Sequence, residues 1–336
     1  MNAQNKTGAV TVAGVLAALI VTAGCERPPV DSQQSGFRGT GMVVVTNPRL
    51  AQADDELPAA LPAAPSDGPR AGDVYQNVQV LGDLSVAEFT RLMTAITQWV
   101  SPEEGCNYCH VADNLADESV YTKGVSRRMI QMTQHINADW SDHVGAAGVN
   151  CYTCHRGNNV PTDIWFESDA AANMAAYAGQ REGQNIASER VGLASLPDDA
   201  LTNYLTGDNL DAIRVNSASW APTGATGSIQ ETEWTYGLMV HLSESLGVNC
   251  NFCHNSRQFA GWTESSQQRV TAWHGLRMVA GLNNDYLVPL GPAYPEERLG
   301  PLGDAPKAGC ATCHKGQQKP LGGANAVEAY PSLIGR

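Results

Sequence analysis

Cys151-Tyr152-Thr153-Cys154-His155-Arg156-Gly157 and Cys310-Ala311-Thr312-Cys313-His314-Lys315-Gly316 are two copies of one phrase. Cys106-Asn107-Tyr108-Cys109-His110 and Cys250-Asn251-Phe252-Cys253-His254 are two copies of another. All four contain C-x-x-C-H. In that arrangement two thiols add across the vinyl groups of a haem and the adjacent imidazole becomes an axial iron ligand. One C-x-x-C also has redox and zinc readings. Four C-x-x-C-H units that use every cysteine but Cys25 do not. The expectation is four covalently bound haem c groups. Cys106, Cys109, Cys151, Cys154, Cys250, Cys253, Cys310 and Cys313 attach them, and His110, His155, His254 and His314 are the proximal ligands.

The two phrases alternate along the chain, and the segments between them also match. Met132 through Asn137, Asp139 and Trp140 parallels Met278 through Asn283, Asp285 and Tyr286 at identical offsets. A repeat of this size reads as one structural unit used twice. The expected organisation is a first two-haem module over 74–160, a connecting segment over 161–227, a second module over 228–320 and a tail over 321–336. The fold class is mainly α with extensive loops, a multihaem cytochrome of two pseudo-symmetric two-haem modules.

Within each module a helix leads into the first motif. Phe89, Leu92, Met93, Ile96 and Val100 recur at helical spacing, so a helix is expected over Val86–Val100. Ser85 and Glu88 form its capping box and Pro102 stops it. Glu233–Leu246 repeats the pattern, with Gly247 as its terminator. Val125–Ile136 and Val270–Leu282 read as helices too. The chain has 336 residues, 33 Gly, 18 Pro and only 5 Phe, so it is loop-rich and its core is completed by something other than side chains. A net charge of -13 excludes a nucleic-acid partner, whose phosphates require a basic surface, and would steer a basic partner instead.

Lys6 followed by the apolar run Gly8–Gly24 is an export signal. Residues 1–25 therefore read as a signal or membrane anchor. Thr22-Ala23-Gly24-Cys25 resembles a lipoprotein cleavage site, which makes Cys25 a candidate lipidation site. Retained instead, the run spans roughly 26 Å against a hydrocarbon core of ~30 Å. A removed signal that leaves a soluble protein is the third alternative. Residues 26–73 are rich in Pro and Ala and read as an extended tether over another surface, with a short strand at Met42–Val45.

A haem that only passes electrons needs a second axial ligand, and Met in that place raises its potential. Met93, thirteen residues before Cys106, and Met239, eleven before Cys250, occupy equivalent helices. Met129 and Met132 compete for the second haem. His135, His143, His241 and His274 are the remaining histidines.

At this point the chain resembles the tetrahaem cytochrome subunit of purple-bacterial-type (type II) photosynthetic reaction centres over nearly its whole length after Cys25. The resemblance rests on Cys25-Glu26-Arg27-Pro28-Pro29, Gly36-Phe37-Arg38-Gly39, Leu92-Met93-Thr94-Ala95-Ile96-Thr97, Trp99-Val100-Ser101-Pro102, Arg128-Met129, Cys151 to Gly157 and Asn251-Phe252-Cys253-His254-Asn255. It implies an electron carrier, not an enzyme, that takes electrons from a soluble periplasmic donor and re-reduces the photo-oxidised special pair. It implies Met93, Met129 and Met239 as distal ligands of the first three haems. His143 crosses from the first module to pair with His314, Met278 is left in the core, and Arg269 stands beside the third haem. The implied spatial order is first, second, fourth, third. The implied partners are the pigment-binding L and M subunits, with a small cytochrome c or a high-potential iron-sulfur protein as donor. The implied location is the periplasmic face of the inner photosynthetic membrane. The rival reading is a bis-histidine multihaem cytochrome of a respiratory chain, since 8 histidines could fill eight axial positions. A multihaem reductase would need an open haem, and a wire-forming cytochrome would need polymer contacts.

Overall fold

Helices and the loops between them dominate the chain. The computed structural model describes residues 31–34, 42–46, 56–168, 196–197, 199–207, 210–213 and 229–335. The expectations for residues 1–25, Cys25 included, and for most of 169–228 lie outside these.

The first elements form a hairpin in which β1 (Asp31–Gln34) pairs antiparallel with β2 (Val43–Thr46), Asp31 opposite Thr46. The expected strand thus starts one residue later than anticipated. The side-chain amide of Asn249, next to Cys250, brackets β2: its Nδ2 donates to Val43 O at 2.8 Å and its Oδ1 accepts from Val45 N at 3.2 Å.

A single turn, α1 (Ala71–Val74), precedes α2 (Val86–Val100), which has the expected bounds. Ser85 and Glu88 form the reciprocal capping box: Glu88 N donates to Ser85 Oγ at 3.1 Å and Ser85 N to Glu88 Oε2 at 3.1 Å. The Ser85 hydroxyl donates in turn to Pro65 O at 2.6 Å and so pins the tether. Ser85→Ala removes both bonds at a buried position. It is expected to lower the stability of the folded state by about 1–2 kcal/mol, read as the denaturant midpoint.

α3 (Tyr121–Asp139) is longer at both ends than its periodicity suggested. α4 (Ser141–Val144) and α5 (Cys151–His155) are short. α6 (Thr202–Leu205) falls in the stretch expected only to connect. α7 (Ile229–Leu246) begins four residues earlier than anticipated and α8 (Gln267–Leu282) three earlier. α9 (Cys310–His314) carries the last motif. Among the described residues no helix is long and apolar enough to cross a membrane.

Two cores hold this together. Leu81, Leu92, Ala95, Trp99 and Ile130 pack with Tyr330 and Leu333, so the C-terminal tail completes the first half. Leu61 N donates to the Tyr330 hydroxyl at 3.1 Å, and Arg91 stacks over the Tyr330 ring at 4.1 Å. The second core joins Leu238, Leu276, Met278, Val279 and Leu282 to Tyr204 and Leu205, both almost fully buried. Met278 is 6% exposed and sits in this core. The stretch around α6 therefore belongs to the second core as the tail belongs to the first.

Candidate functional site

The first and third motifs are built alike. Each lies on a short 3₁₀ turn, Gly105–Tyr108 and Cys250–Phe252. The carbonyl of the aromatic residue accepts the hydroxyl of a residue at the start of the next helix: Tyr108 O from Thr122, and Phe252 O from Ser266 at 2.6 Å. The imidazole then bonds a carbonyl five residues on, His110 Nδ1 to Leu115 O at 2.9 Å and His254 Nδ1 to Phe259 O at 3.0 Å.

The second and fourth motifs differ from these and match each other. α5 and α9 are single turns in which the shared threonine caps the start. Asn150 N donates to Thr153 Oγ1 at 3.0 Å and Gly309 N to Thr312 Oγ1 at 2.9 Å. The basic residue that follows is left-handed, Arg156 at φ 49° and Lys315 at φ 48°. The glycine after it docks on the helix that leads the other motif, Gly157 N to Trp99 O at 2.9 Å and Gly316 N to Ser245 O at 2.8 Å. Here the imidazole bonds a carbonyl only three residues on, His155 Nδ1 to Asn158 O and His314 Nδ1 to Gln317 O, both 2.9 Å.

A carbonyl oxygen can only accept, so the proton of all four imidazoles sits on Nδ1 and Nε2 carries the free lone pair. That is the tautomer a metal ligand needs, with its outer nitrogen fixed by the chain. Burial pushes His155 and His254 down and His314 to about 4, so these rings stay neutral.

The spare histidines separate by the same test. His143 Nδ1 bonds Thr271 O on α8 at 3.0 Å, and its ring centre lies 6.0 Å from that of His314. Metal–imidazole bonds of ~2 Å on opposite sides of one ion put the two ring centres about 6 Å apart. His135 has both nitrogens engaged: Nδ1 faces Asp139 Oδ2 at 3.2 Å, and Nε2 accepts from Trp140 Nε1 at 3.0 Å. His241 Nε2 accepts from Cys310 N at 3.3 Å, and His274 Nδ1 lies 3.9 Å from Asp142.

A cavity of about 1020 Å³ runs between the first two motifs. Met93, Cys106, Cys109 and His110 line one part of it, and Met129, Cys151, Cys154 and His155 line another. Met132 also reaches the wall and packs against the second core as well. Phe89, Ile96 and Val100 line this space too, so part of the apolar stripe of α2 faces the chamber while it packs at the edge of the first core. Met239 packs partly buried against the second core. The second and fourth motifs touch: the Cys154 thiol lies against Cys313, a contact that together with burial holds it well above the thiol range.

These residues fit a haem better than a bare ion. The eight body cysteines are unpaired, and among the described residues no three His, Cys, Asp or Glu side chains converge on one point. Two thiols and an imidazole spread along each motif suit a broad planar group with an apolar chamber around it.

Arg269 on α8 stands beside the third motif. Its Nη1 donates to Gly261 O at 2.8 Å and to Ser265 Oγ at 2.7 Å, and the guanidinium stacks over Trp262 at 4.1 Å. Burial depresses His254, and the Arg269 charge adds to it.

Three residues have roles that the sequence reading missed. Asn137 Nδ2 donates to Val149 O at 2.9 Å, and its Oδ1 accepts from Val149 N at 2.8 Å. Asn283 treats Ala308 in the same way, at 3.0 and 2.8 Å. Each amide thereby clamps the backbone two residues before an even-numbered motif. The same Nδ2 atoms also reach Leu333 O and Leu205 O, both at 2.8 Å. Gly275 is the third. A Cβ there would lie 2.5 Å from His143 Cε1, so the His143 ring rests on bare backbone. The duplicated Asn was visible in the repeat, and Ala200 with Tyr204 echoes Ala326 with Tyr330.

The family model described as "Photosynthetic reaction centre cytochrome C subunit" matches residues 26–334. The chain is similar to the photosynthetic reaction center cytochrome c subunit of Rubrivivax gelatinosus, 52% identical over 96% of this chain and 88% of the relative. It is similar to that of Thermochromatium tepidum at 46% identity, over 95% and 79% of the two chains. For the Roseobacter denitrificans subunit the identity is 46%, over 99% and 95%.

Proposed function

The chain belongs to the family of photosynthetic reaction centre cytochrome c subunits, and from that premise we propose how its residues share the task of passing electrons to the photo-oxidised special pair. It is an electron-carrier subunit that binds haem c covalently. When bound, haem c supplies a reversible one-electron iron couple. The eight body cysteines hold four such groups, and His110, His155, His254 and His314 present Nε2 to each iron. Met93, Met129, Met239 and His143 would supply the second ligand of the four sites, paired with His110, His155, His254 and His314 in that order. The observation that carries this reading is the set of imidazoles whose Nδ1 is tied to a backbone carbonyl, with the His143 and His314 rings 6.0 Å apart. Intact mass and haem staining on a denaturing gel are expected to give four additions per chain; three or fewer would refute the count.

The recurrence of each hydrogen bond around the odd and the even motifs supports a duplicated two-haem module. Cys154 against Cys313 supports an order of first, second, fourth, third. The soluble donor, a small cytochrome c or a high-potential iron-sulfur protein, meets the first site, and the L and M subunits meet the third. The chain sits on the periplasmic face of the photosynthetic membrane, held by an N-terminal helix or a lipid on Cys25.

Within this division Met239 and Arg269 make the third site the exit. A cation beside a group that gains a positive charge on oxidation disfavours the oxidised form. Arg269 has no carboxylate partner among the described residues to cancel it. Arg269→Gln is expected to lower the midpoint of one haem by tens of millivolts and leave three unmoved. Met239→His is expected to lower the same midpoint further and slow special-pair re-reduction after a flash. Unslowed re-reduction in that variant would move the exit elsewhere.

A further inference from the structure

The first proximal imidazole shares its carbonyl with a buried cation. Leu115 O accepts from His110 Nδ1 at 2.9 Å and also from Lys123 Nζ at 2.9 Å. Lys123 is 6% exposed, and its ammonium reaches Asp117 O at 2.8 Å and Glu118 Oε1 at 3.2 Å. Glu118 is held in turn by Arg127 Nη1 at 2.6 Å.

The second half carries a related device with different wiring. Asp117 and Gly261 are each seven residues past the proximal histidine of their half, and each carbonyl takes a cation, Lys123 in one case and Arg269 in the other. Lys123 reaches back to the carbonyl that holds the imidazole, whereas Arg269 Nη1 donates to Gly261 O and Ser265 Oγ. Lys123 is paired with a carboxylate, and among the described residues Arg269 is not.

We propose that Lys123 is a positioning residue that sets the potential of the first haem site through the carbonyl of Leu115, with Glu118 opposing it. The inference rests on the haem assignment above. A carbonyl that accepts the Nδ1 proton makes the ring a more basic ligand, which favours the ferric state. An ammonium on the same oxygen draws electron density away and weakens that effect. The positive charge itself also disfavours the more positive oxidised site. Both effects act in one direction and raise the midpoint. The Glu118 carboxylate acts the other way.

The test uses the complete protein with its haem count verified by mass, so failure of the haem assignment is seen separately. The first site is identified as the component of a spectroelectrochemical titration that Met93→His displaces. Lys123→Met is expected to shift that component to lower potential and Glu118→Gln to shift it higher, with the other three components unmoved. Lys123→Arg is expected to restore most of the Lys123→Met shift. Lys123→Met and Glu118→Gln break the same ion pair, so a purely structural loosening of residues 115–118 would move the midpoint in the same direction in both. Shifts of the same sign, or no shift in either, overturn the proposal.

Discussion

His143→Ala is expected to abolish the bis-histidine signal of the fourth haem site and to leave the three methionine-ligated signals in place. The open position should bind carbon monoxide at one haem per chain, where the parent protein binds at none. His143 lies on α4 in the first half, while the two groups that fix its ring, Thr271 O and Gly275, lie on α8 in the second. The bond to Thr271 leaves Nε2 free, and the opposing ring centre is 6.0 Å away. Gly275→Ala tests the support without touching the ligand. Its Cβ would overlap the ring at 2.5 Å, so the same signal should broaden or split. His135→Ala should change none of the four signals, because both His135 nitrogens are already spoken for by Asp139 and Trp140. A signal lost in His135→Ala and kept in His143→Ala would reverse the assignment.

Asn283→Asp changes one atom for another and is expected to cost at least ~4 kcal/mol at neutral pH. Asn283 is 0% exposed, and its Nδ2 serves both Leu205 O and Ala308 O. A carboxylate puts an oxygen against those two carbonyls and strands them. Complete burial beside two carbonyl oxygens outweighs the one donor, Ala308 N, and raises the folded-state pKa above the unfolded ~3.9, so the folded state holds a proton that the unfolded state has released. Stability of the variant therefore falls as pH rises from about 4 to the folded pKa, and the penalty is smallest in acid. The protonated acid can still donate to one of the two carbonyls. Denaturant midpoints measured across that range check the slope. A small loss that does not vary with pH would show that the amide donors carry little.

The attachment motifs were legible because covalent chemistry fixes residue type and spacing together. α2 was legible to the residue because Ser85, Glu88 and the apolar stripe agree. The same stripe was only half interpretable: Phe89, Met93, Ile96 and Val100 follow core periodicity yet face the chamber, since an apolar cofactor and an apolar side chain demand the same neighbours. The partners of the two cores were not legible. Tyr330 and Leu333 are more than two hundred residues from Trp99, and no local pattern announces a contact of that span. Asn137 and Asn283 stood out as repeated letters, but an amide that pairs with backbone leaves no periodic trace. Gly275 is meaningful only when His143 is placed upon it.

The two cores are completed at different points along the chain. The second core takes Leu205 from a stretch made before Cys250, and Leu282, the last of its buried residues, precedes Cys310. The first core waits for Tyr330, which follows Cys106 by 224 positions. At ~5–20 residues per second that is an interval of roughly 10–45 s. Throughout it the first core lacks Tyr330 and Leu333. A chain interrupted between His314 and Tyr330 would carry every C-x-x-C-H cysteine and still lack the aromatic ring that packs edge-on against Trp99. The core begun first is thereby the one finished last.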